Sequence, residues 1–322
     1  AVLYLRIYCL GMPALAVYNF GNAVFSAVGD TRRPLYYLSI AGVINVVLNL
    51  FFVIVCNMDV AGVAVASIIS QYFSAILVTA ALLRSRESYC LRFSQLRFHK
   101  TRTKAILSIG IPSGLQNAIF ALANLFIQRG VNTFSATMVA GNSAATNADA
   151  LVYDVMQAFY TACGSFIGQN YGAGQIKRCK KTMQLSFLEG AIATFVSVVV
   201  LLLSARSLLA IFNSDPEVIA IGYIRLATIL PAYVFCLIYE ILSGYLRGFG
   251  ISLAPALLTM LGVCGIRIAW VKFVFPTSMT FQTVMWVYPI SLGATAALIL
   301  CAVLIYRPSR RFAGLETEEE DK

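Results

Sequence analysis

Nine apolar stretches, each long enough to cross a bilayer, divide this chain, and its lysines and arginines gather in every second connection between them. A spanning helix needs about 20 mostly apolar residues at roughly 1.5 Å of rise each. Residues 6–28, 34–56, 60–83, 106–131, 147–168, 182–203, 218–242, 253–275 and 281–306 all qualify. The pattern predicts an all-α membrane protein, a polytopic helical bundle of nine spans. Eighteen of the 24 basic residues lie in the first, third, fifth and seventh connections or after the last span. The intervening connections, residues 57–59, 134–146, 212–217 and 275–280, carry none, so the positive-inside rule places the C-terminus in the cytoplasm and the N-terminus as given outside.

Composition narrows the class further. With 59% hydrophobic and 12% charged residues, the chain is too apolar for an ordinary soluble domain. A net charge of +10 would suggest nucleic acid in another protein, but here the basic residues sit in short loops that face anionic headgroups, and no nucleic-acid partner is expected. The eight cysteines form no Cys-x-x-Cys pair and read as free thiols. The single histidine, His99, lies in the basic third connection, which rules out a His-rich metal site within the spans. No cofactor is expected.

An internal repeat organises the spans. Tyr4-Leu5-Arg6-Ile7 returns as Tyr223-Ile224-Arg225-Leu226, Pro13-Ala14 as Pro231-Ala232, and Gly29 with Pro34 as Gly250 with Pro255, at separations of 218 to 221 residues. Spans one to three therefore correspond to spans seven to nine. If the second half is a six-span unit, the first is the last three spans of a similar unit, and a complete protein would have twelve. The expected divisions are residues 1–85, the second half of an N-terminal lobe; 86–104, a basic cytoplasmic linker; 105–306, a six-span C-terminal lobe; and 307–322, a cytoplasmic tail. Duplicated bundles with a site at the bilayer midplane are a common plan for secondary transporters.

Several motifs carry a family resemblance. They are the turn Gly29-Asp30-Thr31-Arg32-Arg33-Pro34, Gly110-Ile111-Pro112 opening the fourth span, Gly168-Gln169-Asn170-Tyr171-Gly172-Ala173-Gly174 followed by Lys177 and Arg178, and Leu246-Arg247-Gly248 with Gly250. In these the sequence resembles the multidrug and toxic compound extrusion (MATE) family, over all but the acidic tail. The resemblance implies a two-lobe, six-plus-six helix architecture. It also implies export of organic, often cationic, compounds in exchange for sodium ions or protons, in the cell membrane of a bacterium. Physically, Gly168, Gly172 and Gly174 would permit tight turns at the cytoplasmic edge. The run lacks the Gly-Lys-Ser/Thr ending and the preceding strand of a nucleotide-binding loop.

Ionisable groups at membrane depth are costly and mark function by default. Of 14 acidic residues, Asp149, Asp154, Glu189 and Glu240 fall within spans. Glu240 shares a helical face with Cys236, Ser243, Gly244 and Arg247. It reads either as a protonatable or sodium-coordinating carboxylate or as a structural partner of Arg247 or Arg267. Asp154 shares a stripe with Asn147, Thr161 and Ser165 that cannot comfortably face lipid. Asp149 lies on another face, near the expected start of its helix, where the dipole and outer water would explain it. The resemblance nevertheless favours an acid there, so Glu240, Asp154 and Asp149 all stand as cation-coupling candidates. Glu189 reads as an interfacial partner of the Lys177–Lys181 cluster.

Asn117, Asn124 and Gln128 line one side of the fourth span, with Gln116, Arg129 and Asn132 at its flanks, and suggest a water-accessible lining. Polar helix packing is the rival explanation. One branch of the MATE family carries a glutamate in this helix; none is present. Asn45 and Asn49, one turn apart in the second span, would line the other lobe or bond a neighbouring helix. Arg6 and Arg225 would snorkel outwards.

The expected function is a monomeric secondary antiporter that moves small organic solutes outwards by alternating access, with the solute between the lobes near Asn117, Asn124, Gln128, Thr161 and Ser165. A flippase for a lipid-linked saccharide is the alternative, predicting a wider, more cationic cavity. A membrane-embedded enzyme would need a nucleophile or base at membrane depth, and no Cys/His arrangement supplies one.

Overall fold

Proline and glycine decide where the helices break. In the computed structural model, residues 2–311 are described; the acidic end of the expected cytoplasmic tail lies outside them. The chain divides into two compact units at Phe98 and His99. The first unit opens with α1 (Val2–Cys9) and α2 (Met12–Ala27), bent by 50° where Gly11 precedes Pro13 at the start of α2. Proline lacks the N–H that would continue the first helix. Next come α3 (Arg32–Leu50), which runs into a π-helical turn (Phe51–Val55), and α4 (Asp59–Arg84). Phe25, Tyr18, Ala75, Val78 and Leu82 form its core, and Tyr18 Oη donates to the Pro34 carbonyl at 3.2 Å.

The second unit begins with α5 (Lys100–Val131), which contains Pro112 well inside the helix, and continues through α6 (Ala136–Gly172) and α7 (Ile176–Phe212). A single span then comprises α8 (Pro216–Ile229), a 3₁₀ turn at Pro231 and α9 (Tyr233–Gly248). The following span alternates α10 (Leu253–Thr259), a π-helical stretch (Met260–Gly265), α11 (Ile266–Ala269) and a second π stretch (Trp270–Val274), before α12 (Phe281–Tyr306) closes the unit. The core joins Met156, Ile167, Leu209, Leu226, Ile241 and Met285 from α6, α7, α8, α9 and α12.

Among the described residues, seven helices are long and apolar enough to cross a membrane, or eight if the bent α1–α2 pair is one span. The ninth expected span is α6: it is helical throughout its 37 residues but too polar to join that set. Asn142, Asp149 and their neighbours point into the unit, so the helix need not be apolar all round. Large apolar side chains elsewhere face outwards, Leu203 at 84% exposure and Ile305 at 79%, as a lipid-facing surface requires. None of the eight cysteines forms a disulfide among the described residues.

The repeat is visible in the backbone. Gly29 at φ 86° and Gly250 at φ 79° end equivalent helices, with Asp30 N–H reaching the Phe25 carbonyl and Ile251 N–H the Leu246 carbonyl. These are Schellman turns, in which glycine adopts the left-handed conformation without a Cβ penalty. Gly174, at φ 72°, makes a third such turn, with Gln175 N–H on the Asn170 carbonyl. The expectation of turns at Gly168 and Gly172 is corrected, since both lie inside α6. Gly168 faces Gly248 across a close helix crossing instead.

Candidate functional site

A cavity of about 560 Å³ opens within the second unit. From α5 come Asn117, Asn124 and Gln128; from α6 come Asn142, Asp149 and Tyr153. Arg225 of α8, Tyr233 and Tyr239 of α9, Arg267 of α11 and Tyr288 of α12 complete the polar wall. The amide stripe read from α5 therefore lines a cavity, a volume within the range of small-molecule sites.

Two buried arginines dominate its electrostatics. Arg225 is 4% exposed; its Nη2 lies 2.7 Å from Asp149 Oδ2 and its Nη1 donates to Asn142 Oδ1 at 2.8 Å. This overturns the expectation that Arg225 snorkels outwards. The expected placement of Asp149 near a helix start is also corrected: α6 begins at Ala136, so Asp149 lies more than three turns inside, where the dipole of the first turn no longer reaches. Arg6, the repeat partner of Arg225, is exposed. Arg267 is 3% exposed; its Nη1 donates to Asn124 Oδ1 at 2.9 Å and its Nε to Ser291 Oγ at 3.3 Å. Both guanidinium groups lie near the Tyr288 ring, Arg225 at 5.4 Å and Arg267 at 4.6 Å from its centroid.

A smaller chamber of about 120 Å³ adjoins this cavity and shares Asn117, Phe120, Tyr153 and Tyr239 with it. Glu240 lies here, partly buried, accepting a hydrogen bond from Tyr153 Oη at 3.1 Å. The structural alternative of an ion pair with Arg247 or Arg267 is not what the chamber shows. Arg247 Nη2 donates to Gln116 Oε1 at 2.6 Å, and its Nη1 donates to the Tyr160 hydroxyl. Thr161 and Ser165 line a third hollow of about 280 Å³ beside Arg247. Asp154 and Asn147 are exposed and line neither the cavity nor the chamber. Asn45 and Asn49 lie in the first unit and bond to each other at 3.0 Å, while Asn45 also donates to Ser70 Oγ at 3.0 Å, tying α3 to α4.

Sequence reasoning did not place Arg225, Arg267, Tyr233 or Tyr288 in the lining. The available signal was the charge inventory: Arg225 and Arg267 are among the few basic residues inside the spans once the loops are counted, and such residues face the bundle interior.

Comparison with known proteins agrees with this architecture. The MatE family model matches residues 112–271, which contain most of the cavity wall. Over 97% of its length the chain is 28% identical to the probable multidrug resistance protein YpnP of Bacillus subtilis, covering 69% of that protein. The chain belongs to the MATE family. MATE proteins are membrane transporters, not enzymes. The chain is also 23% identical to the probable multidrug resistance protein NorM of Thermotoga maritima and 26% identical to an FAD transporter of Shewanella oneidensis, but spans only 58% and 49% of their lengths. A solved outward-facing multidrug resistance MATE transporter of the MOP superfamily shares the fold at a TM-score of 0.86 and 19% identity, covering 98% of this chain and 70% of that one. A MOP superfamily transporter from Pyrococcus furiosus matches equally well. The lipid II flippase MurJ model matches residues 2–138.

Proposed function

We propose that this protein exports small organic solutes across a bacterial cell membrane by alternating access, as a monomer with its C-terminus in the cytoplasm, in exchange for protons or sodium ions. Multidrug resistance relatives of two bacteria support the reading. One observation carries the coupling role: Glu240 is an interior carboxylate without an ion pair among the described residues, in a chamber that shares four residues with the solute cavity. Asp149 is committed to Arg225 and Asp154 faces outwards, so Glu240 is the acid that can take up a cation without breaking a buried pair. A cation that binds one conformation more tightly than the other shifts the population between them, and the Tyr153 and Tyr239 walls transmit that bias to the solute.

Proteoliposomes loaded with dyes of either charge provide the test. Under an imposed proton or sodium gradient the parent protein drives dye across the membrane, and Glu240→Gln abolishes the gradient's effect. Undiminished gradient-driven transport in Glu240→Gln would remove this residue from the coupling.

A lipid-linked saccharide flippase is the second reading. It is favoured by the MurJ match over residues 2–138 and by an arginine-bearing cavity more cationic than export of organic cations would call for.

A further inference from the structure

The charges inside the second unit do not balance. Three arginines, Arg225, Arg247 and Arg267, meet two carboxylates, Asp149 and Glu240, in the cavity and its adjoining chamber. Arg225 is neutralised by Asp149 at 2.7 Å. Arg247 shares its chamber with Glu240. Arg267 has no carboxylate at ion-pair distance among the described residues. Its partners are neutral: the Asn124 amide oxygen, the Ser291 hydroxyl and the rings of Phe120 at 5.2 Å and Tyr288 at 4.6 Å. Ring faces and amides ease the desolvation of a guanidinium but leave its full charge in place.

The third nitrogen of this guanidinium decides what the charge is for. Nη2 of Arg267 has no hydrogen-bond partner among the described residues, and it is not among the buried unsatisfied atoms. It is therefore open to the cavity that Arg267 lines. Arg225 and Arg247 also leave a nitrogen unpartnered, but theirs is a sealed Nε, whereas Arg267 keeps a donor open in a site built of amides and phenols. Carboxylate and phosphate oxygens match the guanidinium fork in geometry as well as charge. With Arg225 already paired to Asp149, the charge of Arg267 is the uncompensated one, and its field disfavours a cation beside it.

The geometry points to a binding site for an anionic group, a carboxylate or phosphate carried by an organic solute or a lipid headgroup, with Arg267 as its main ligand and the Asn124 and Asn117 amides beside it. This names the cargo class of the export reading and rests on it for the word cargo, and it departs from the organic cations that the family resemblance implies.

Fluorescein and rhodamine 123 share a xanthene scaffold and carry opposite charges, so they separate charge from shape. Binding is read by fluorescence anisotropy with the full chain in phosphatidylcholine nanodiscs, where no gradient or turnover is needed. Fluorescein is expected to bind at least about tenfold more tightly than rhodamine 123, a charge-assisted margin. Arg267→Gln is expected to erase that preference, and Arg267→Lys, a point charge without the fork, to retain part of it. Equal or tighter binding of rhodamine 123 by the parent protein overturns the proposal, and so does unchanged fluorescein affinity in a folded Arg267→Gln. The parent protein's ratio stands even if that variant does not fold. Phosphatidylglycerol added to the disc displaces fluorescein if the site reads a headgroup and leaves it bound if the site reads a soluble anion. Fluorescein preference without any gradient-driven transport sinks the export reading and leaves the anion site standing; driven transport of rhodamine 123 without fluorescein preference does the reverse.

Discussion

Asp149 and Arg225 show what a charge inside a membrane bundle demands of its neighbours. Both are nearly sealed from solvent, their side chains 9% and 5% exposed, and Asn142 occupies a second guanidinium nitrogen. Removing one member leaves the other buried and uncompensated, a loss of about 3–5 kcal/mol. Asp149→Ala is therefore expected to lower the thermal unfolding midpoint in detergent clearly, and so is Arg225→Met. The double variant should lose less than the two single losses combined, because no lone charge remains. Full additivity would show that the pair is not coupled. The sequence exposed the acid but not its partner. Polar residues such as Asn142 and Thr146 dilute the apolar signal at the start of α6, so hydropathy starts the span at Asn147 and puts Asp149 near its end. Arg225 was misplaced because hydropathy gives position along a helix and not the direction a side chain takes around it.

Helix crossings were legible as motifs before their purpose was. Gly164 and Gly168 of α6 meet Gly244 and Gly248 of α9, each pair four residues apart, the small-residue spacing that lets helices approach in a lipid solvent. A Cβ on Gly248 would come within 2.4 Å of Ile167 Cγ2 and 3.2 Å of the Gly164 carbonyl oxygen. Gly248→Val is expected to cost about 1–3 kcal/mol of stability through overpacking, seen as a lower unfolding midpoint. Gly110→Ala is the control: its Cβ would meet nothing within 4 Å, and helix propensity favours alanine there. A midpoint that falls as far in Gly110→Ala as in Gly248→Val would remove the crossing as the cause. The run from Gly168 to Gly174 was thus visible as a motif, but only Gly174 serves as the turn that glycine-rich sequence suggested.

Across the whole chain, the alternation of connections with and without basic residues makes a directional prediction. Cys56 is exposed beside a connection without basic residues and Cys90 lies in the basic third one. In single-cysteine variants within intact cells, a membrane-impermeant maleimide is expected to label Cys56 and to reach Cys90 only after permeabilisation. The opposite pattern would invert the orientation. The repeat, the helical class and the amide stripe of α5 could all be read from residue order because they depend on periodicity. The cavity's charge could not, because it is set by which arginines find acids across helices far apart in sequence. The π-helical stretch from Met260 to Gly265, immediately before Arg267, adds one more dependence. A π turn accommodates an extra residue within a helical ladder. Losing a single residue there would let the segment relax to regular winding with the helix beyond it almost unturned, whereas regular winding of the same six residues would rotate everything downstream by about 100°, carrying the Arg267 guanidinium away from Tyr288. In this span, a change of winding at constant length acts as a twist of the ligand-facing wall, so relatives of the same length whose residues favour regular winding at this point would present a different selectivity.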